Sequence, residues 1–357
     1  MLSISRRNRN KLRNLSYFDK LLLLSILCLS FTLLLVILSV RSGPVSINFA
    51  EILNILINIL NSSESTIDMN SQIILNIRLP RIILAILVGI SLSVSGAIMQ
   101  GLFRNPMADP SIIGVSSGAA VGAVSSIALG IYSLSLIVLP LMAFLGGIIA
   151  AFTVYFISFV SGRNSLVSLI LGGLAISLFA NSVISMIILA SSEYGEMSSI
   201  LFWLAGGLES TRWDHVFLLF PIVLINLPIL IFYSNKLNVL ALSDDSAKSL
   251  GLNVSKTRLI LLLSTTALTS MAVAVSGIIA FVGIIIPHIV RLITGPDNRV
   301  VIPISALLGS LFLVFTDYLA RTIFSPTEIR LGIITSLVGA PFFIYLLIRQ
   351  RTMEVVQ

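Results

Sequence analysis

The stretch that decides the fold is RLPRIILAILVGISLSVSGAIMQGLFRNPMADPSIIGVSSG, residues 78–118. Two arginines bracket Leu79-Pro80, an uncharged run follows from Ile82 to Phe103, and Arg104-Asn105-Pro106 and Asp109-Pro110 interrupt it before apolar sequence resumes. About 20 residues rising about 1.5 Å each cross the roughly 30 Å of a bilayer's hydrocarbon, so 82–103 is long enough to span one. The stretch reads as a membrane helix, a polar break and the start of another helix.

Composition agrees with that reading. Of the 357 residues 57% are apolar and 10% charged, with a mean hydropathy of +1.06, whereas about a quarter of a soluble domain is charged. The net charge of +7 is dispersed over the ends of apolar runs, not gathered on a basic face interleaved with aromatics. It therefore speaks for membrane topology and against nucleic acid. A single cysteine, Cys28, excludes a disulfide and a cysteine-based metal site within the chain.

The hydropathy pattern predicts an all-α polytopic membrane protein of ten spans: 21–40, 82–103, 111–131, 137–160, 166–190, 215–234, 259–281, a shorter segment around Pro287 ending near Ile293, 300–320 and 332–348. Residues 1–20 form a basic N-terminal segment, 21–348 one transmembrane domain, and 349–357 a tail. The first apolar run is too long for a signal peptide and lacks a good cleavage site, so it is expected to be retained, with the N-terminus in the cytoplasm. Residues 47–60 are amphipathic enough for a helix lying on the outer surface. Of the 22 Lys and Arg residues, six (41, 78, 81, 212, 321 and 330) then fall outside and the other 16 inside, with both termini cytoplasmic.

The chain also repeats itself. Ser95-Gly96, Pro106 and Gly114 recur 181 residues on as Ser276-Gly277, Pro287 and Gly295, and Pro140, Ala143, Leu145, Gly146, Thr153 and Tyr155 recur 163 residues on as Pro303, Ala306, Leu308, Gly309, Thr316 and Tyr318. The second span thus matches the seventh and the fourth the ninth. An offset of five spans is odd, so the second copy is inverted in the membrane, as in many transporters built from two similar halves. Chance similarity between Gly-rich apolar helices is the alternative.

Two motifs imitate catalytic ones. Residues 114–118, GVSSG, satisfy G-x-S-x-G, with His288 and Asp317 as imaginable partners in a membrane-embedded hydrolase. That motif needs a strand-to-helix elbow, whereas here it opens a membrane helix, where Gly and Ser allow close packing. Residues 251–257, GLNVSKT, resemble a phosphate loop but lack the glycine before the lysine and a preceding strand. Energy for any pumping must then come from another chain. His288 is expected to cap or pack, and His215 is too isolated for a metal site. A proton-coupled carrier would need a carboxylate at mid-membrane, and Asp317 lies near a helix end.

Taken together, Arg78-Leu79-Pro80-Arg81, Ser95-Gly96, Gln100, Asn105-Pro106, Asp109-Pro110, Gly114-Val115, Leu250-Gly251, Ser276-Gly277, Phe281-Val282-Gly283, Pro287-His288, Arg291, Asp297, Arg299, Ala320-Arg321 and Gly339-Ala340-Pro341 resemble the permease subunits of ABC importers for iron-siderophores, haem and cobalamin, the ten-helix type II importer fold. The resemblance runs from about residue 21 to 348. Ser243 stands where that family often has glycine, Asn298 where histidine is common, and Arg330 where proline is usual.

The resemblance implies a transport subunit, not an enzyme, in the bacterial cytoplasmic membrane. Its expected partners are a second permease copy or paralogue, two ATPases that use ATP and Mg, an extracytoplasmic binding protein and membrane lipid. No cofactor or metal bound by this chain is expected. Gly295-Pro296-Asp297 points towards a ferric siderophore as cargo, with haem or cobalamin as alternatives. Arg78, Arg81 and Arg321 match outer-face arginines that meet acidic residues of the binding protein, a task suited to the guanidinium fork; lipid-headgroup anchoring is the alternative. Asp317, one turn before Arg321, is placed to orient it.

Within the polar stretch 237–256, Asp244, Asp245 and Ser246 read as the cap and acidic first turn of a short helix, Ala247 and Leu250 as its contacts, and Gly251 as its left-handed end. By resemblance this segment, from Ser243, is the coupling element that sits in a cleft of the ATPase. Polar or small positions in the fifth span (Gly172, Gly173, Ser177, Asn181) and the tenth (Thr335, Ser336) are expected to face a partner or a water-filled path, because polar groups facing lipid are costly. By resemblance they line the pathway, with Ser165, Leu166, Val167 and Ser168 at its inner constriction. Ordinary helix packing remains the rival reading.

Overall fold

The computed structural model describes residues 17–43, 45, 47–60, 69–160, 166–191 and 194–354. Among these residues the chain is helical with no strand. The helices are α1 (Tyr17–Arg41), α2 (Phe49–Leu60), α3 (Met69–Leu102), α4 (Val115–Ala128), α5 (Val138–Val160), α6 (Leu166–Ala190), α7 (Tyr194–Leu204), α8 (Trp213–Phe232), α9 (Ser234–Leu242), α10 (Asp244–Ser249), α11 (Val254–Ser276), α12 (Val282–Thr294), α13 (Asn298–Thr322) and α14 (Leu331–Glu354). Seven of them, α1, α3, α5, α6, α8, α11 and α13, are long and apolar enough to cross a membrane. Three shorter apolar helices accompany them: α4, α12 and the Leu331–Tyr345 part of α14.

Burial sorts these helices into a centre and a rim. The most apolar windows of α3, α11 and α13 are 83%, 72% and 67% buried, against 6% for α1 and 17–28% for α5, α6 and α8. The central helices are rich in small and hydroxylated residues, and this explains their depth. Without a hydrophobic drive between helices in lipid, close backbone approach and interhelical hydrogen bonds hold them together. A Cβ on Gly96 would lie 1.9 Å from the Gly283 carbonyl oxygen, so only glycine lets α3 and α12 meet there. Nearby, the Ser93 hydroxyl donates across to the Ser305 carbonyl of α13 at 2.8 Å.

Several boundaries depart from the sequence reading. The span expected over 259–281 ends at Ser276, where Gly277 takes φ +66° with the Trp203 carbonyl oxygen 2.3 Å from where a Cβ would stand. The expected 111–131 span is α4 alone, flanked by 3-10 turns over Pro110–Ile113 and Ile131–Leu134. The acidic segment after α6 contains a helix of its own, α7. The repeat is uneven locally: Gly96 lies inside α3, whereas its counterpart Gly277 ends α11. Gly146 and Gly309, by contrast, both sit at tight crossings, against Gly118 and against Gly89 and Ser93.

Candidate functional site

In helix α3 Arg81 opens the segment Leu79–Leu102, after a π-helical stretch over Ile73–Arg78, and Arg104 follows its end, so the two arginines mark opposite ends of the bundle. Each end holds a cluster of charged side chains.

At the Arg81 end, Asp317 near the end of α13 is 2% exposed at its side chain and lies between two arginines. Arg81 Nε donates to Asp317 Oδ1 at 2.8 Å, and Arg321 Nε lies 3.1 Å from Asp317 Oδ2. Arg81 Nη1 makes a further ion pair with Glu328 at 2.9 Å. Arg78 donates to the carbonyls of Val40 and Val45, and Arg321 Nη1 to those of Ser39 (3.4 Å) and Ser42 (3.2 Å). The expected orientation of Arg321 by Asp317 is present. None of the three arginines offers an open guanidinium fork, however: Arg78, Arg81 and Arg321 are 4%, 6% and 5% exposed. Arg78 and Arg321 fasten the end of α1, with Ser42 and Val45 beyond it, to the bundle, and Arg81 ties α3 to α13. Helix α1 packs along α13 with most of its surface exposed, and its other end is held by Tyr17, whose hydroxyl donates to the Arg299 carbonyl at 3.4 Å while the Arg299 guanidinium stands 5.1 Å from the ring.

Beside this knot, Arg330 pairs with Glu209 and stacks 4.6 Å over Phe202, tying the head of α14 to α7 and the loop after it. Burial pushes the Glu209 carboxyl up, although Arg330 pulls the other way. The pair lines a cavity of about 480 Å³ together with Tyr132, Trp203 and His215. His215 Nδ1 accepts from the Arg212 backbone N–H at 3.2 Å.

At the Arg104 end, α10 is capped by Ser243, whose hydroxyl oxygen accepts from the Ser246 N–H at 3.0 Å. This corrects the expected cap: Asp244 is the first helical residue, not the N-cap. Its carboxylate takes Arg104 Nη2 at 2.6 Å and Arg258 Nη2 at 3.0 Å. Burial alone would raise the Asp244 carboxyl, but Arg258 and Arg104 outweigh it and hold it below the usual carboxylate range. Ala247 is fully buried, Asp245 and Lys248 point to solvent, and Leu250 is 68% exposed. Gly251 ends the helix at φ +79° with its N–H on the Lys248 carbonyl at 2.8 Å, as expected. Of the expected contacts, then, Ala247 packs inward while Leu250 stands outside.

The same end has a buried polar network. Gln100 Nε2 donates to the Ile284 carbonyl at 3.1 Å, and Arg291 Nη2 to the Ala97 carbonyl and Asn298 Oδ1 at 3.0 Å each. Asn298, 2% exposed, donates to Asn238 Oδ1 at 2.8 Å, and Asn238 donates to Asp297 at 2.8 Å. Asp297 is held at about 2, chiefly by hydrogen bonds from Arg299.

The positions expected to line a path divide into two sets. Gly172 and Gly173 pack within the chain, since a Cβ on Gly173 would lie 1.9 Å from the Ile112 carbonyl oxygen and one on Gly172 3.4 Å from Val154. Thr335 is also buried and donates to the Gly332 carbonyl at 3.2 Å. Asn181 and Val167 are exposed, and Leu166, Ser168, Ser177 and Ser336 are half-buried. Ser165 lies outside the described residues. Ser336 lines an apolar groove of about 610 Å³ between α14 and the 204–205 and 278–280 segments.

Residues 114–118 follow a 3-10 turn and open α4, without a strand before them, and Asp317 is occupied by its two arginines. His288 lies edge-on to Phe342, 6.3 Å between ring centres. In the 251–257 run, Asn253 caps α11 by accepting from the Lys256 N–H at 2.9 Å. Sequence reasoning missed Arg104, Arg258 and Glu328; an arginine directly after an apolar helix was the available signal for the first.

Comparison with known proteins places these features in a lineage. The FecCD transport family model matches residues 31–349. The cobalamin import system permease protein of Halobacterium salinarum is 47% identical over 271 residues, 76% of this chain and 72% of that one. The hemin transport system permease protein of Yersinia pestis is 37% identical over 336 residues, 91% of this chain and 96% of that one. A solved structure described as a metal-chelate type ABC transporter in an inward-facing conformation superposes with a TM-score of 0.80 at 32% identity, covering 91% of this chain and 98% of that one.

Proposed function

Because the chain belongs to the FecCD transport family, whose relatives are ABC transporter permeases, we propose that it is the membrane permease of a bacterial importer for a ferric siderophore. It receives its cargo from an extracytoplasmic binding protein and is driven by two separate ATPases, which use the ATP and Mg. The observation that carries this reading is α10. A capped helix of under two turns, pinned on one side by Ala247 and Asp244, presents Leu250 and the open Gly251 turn to the outside. Such a helix is too short to persist without a surface to bury against. Cobalamin is the second reading, favoured by the 47% identity to a cobalamin permease.

Reconstituted with its ATPase and binding protein, the chain should import radio-iron siderophore only with ATP inside the reach of the ATPase. Excess unlabelled cobalamin should not compete if the cargo is ferric siderophore. Uptake driven by a proton gradient, with no ATPase present, would refute the importer reading.

We further place α10 in the cytoplasm and the Arg81 knot outside, with all seven long and three short apolar helices crossing as ten spans in two inverted halves. In a Cys28→Ser background, a cysteine at Leu134 (77% exposed) should react with an impermeant thiol reagent in intact cells, and one at Leu242 (69% exposed) should not. Labelling at Leu242 from outside would invert the assignment. Asn181 is exposed on α6 among Leu174, Leu178 and Met186, and an amide facing lipid is costly, so we assign this face, with Val167 and Ser336, to the contact and path between two permease copies. Docking of the binding protein is assigned to the rim above the knot of Arg78, Arg81 and Arg321, where Glu328, 24% exposed at its side chain, covers Arg81 from outside.

A further inference from the structure

Short helix α10 touches the bundle through few groups, and Asp244 is the one that reaches two membrane helices together. Its carboxylate is bound by Arg104, directly beyond the end of α3, and by Arg258, in the second turn of α11. Arg104 is itself fixed, with Nε and Nη2 on the Leu240 carbonyl at 3.0 and 2.7 Å. Its backbone takes φ +51°, a left-handed conformation uncommon for a residue with a Cβ. The side chain is thus brought back under α9 and onto Asp244, with the two side chains still 36% and 40% exposed. Arg258 presents Nη2 to both carboxylate oxygens, at 3.2 and 3.0 Å, and its side chain is 12% exposed. The two helices so joined are the most deeply buried of the seven long helices among the described residues, at 83% and 72% of their apolar windows.

From this arrangement we infer that Asp244 is a positioning residue, the joint through which displacement of α10 is delivered simultaneously to the two central helices α3 and α11. The inference rests on the assignment of α10 as the ATPase-facing element. The backbone alone links α10 in sequence to α9 and α11, both of which lead into single helices. Among the described residues α9 also reaches α3, through Leu237 packed at Gly101, and the Arg104–Asp244–Arg258 bridge ties α10 itself to the end of α3. A two-armed charged link at 2.6–3.0 Å resists rotation as well as translation. A movement of α10 is therefore delivered to both helices, and α3 and α11, which also meet directly where Ser95 donates to the Thr265 carbonyl at 3.4 Å, follow it as a pair.

The test uses the whole transporter, with its ATPase and binding protein, in proteoliposomes, measuring cargo imported per ATP hydrolysed. Asp244→Asn should leave the ATPase bound at the parental level and hydrolysing ATP, while cargo moved per ATP falls about tenfold. Arg104→Gln keeps the Arg258 arm and should give an intermediate ratio, and Asp244→Glu should restore most of the parental value. A parental ratio in Asp244→Asn overturns the inference. So does a loss of transport fully explained by loss of bound ATPase, because Asp244 would then only shape the grip. If no ATPase accompanies the parental chain, the importer reading fails instead, a result that cannot be confused with either.

Discussion

Replacing Asp317 by asparagine should remove about 3–5 kcal/mol from the folded protein, the usual cost of deleting one partner of a buried ion pair. The side chain is 2% exposed and compensates two guanidiniums that are 7% and 5% exposed, Arg81 and Arg321. Asparagine fits the space but leaves both cations without their shared counter-charge. Arg81 retains Glu328, whereas Arg321 retains only the Ser39 and Ser42 carbonyls, so Arg321 loses most. The end of α1 should be held less firmly, by Arg78 on the Val40 carbonyl and an Arg321 no longer fixed by its carboxylate. The expected result is a detergent-solubilised protein whose melting point falls by several degrees or that fails to accumulate. An Asp317→Asn protein melting with the parental one would show that the knot stabilises nothing.

Glu328→Gln provides the contrast. Its carboxylate is at the rim, and Arg81 keeps Asp317 when it is neutralised, so the fold should hold. Any change in capture of the binding protein by this variant then reports on docking, free of the structural loss that charge reversal at Arg78, Arg81 or Arg321 would cause. Those three guanidiniums are turned inward, and glutamate at Arg78 would face the Val40 and Val45 carbonyls.

The sequence made the apolar architecture legible because most long runs are bounded by charge or proline on at least one side. Thus 166–190 was read to the residue as α6, and 137–160 to within one residue as α5. Where the chain turns without charge, it was not. The end of α11 depends on Gly277 adopting a positive φ under the Trp203 carbonyl, a tertiary contact that Ser276-Gly277 does not announce, since Ser95-Gly96 continues as helix. Helix α7 was hidden because its apolar residues, Ile200 to Leu204, are too few to register as a span. At the site, Asp317 with Arg321 was readable as an i, i+4 pair, whereas Arg104 and Asp244 are 140 residues apart and nothing local relates them. The inward packing of Gly172, Gly173 and Thr335 was equally invisible, because small residues suit a helix crossing as well as a path.

The second large effect expected is functional, at Leu250. Its side chain is 68% exposed, so an aspartate there should cost the isolated chain little, within about 0.5 kcal/mol for a surface substitution. Gly251 is a poorer probe, since valine at φ +79° would strain the backbone itself. In an interface with the ATPase, the new carboxylate would be buried unpaired in place of an apolar contact, and both binding and coupling should fail. The decisive measurement is therefore ATP-driven uptake and ATPase co-elution of Leu250→Asp, with membrane level and melting point matched to the parent. The account predicts uptake and co-elution each reduced at least tenfold in a normally folded protein; uptake at the parental rate with the ATPase still bound would contradict it.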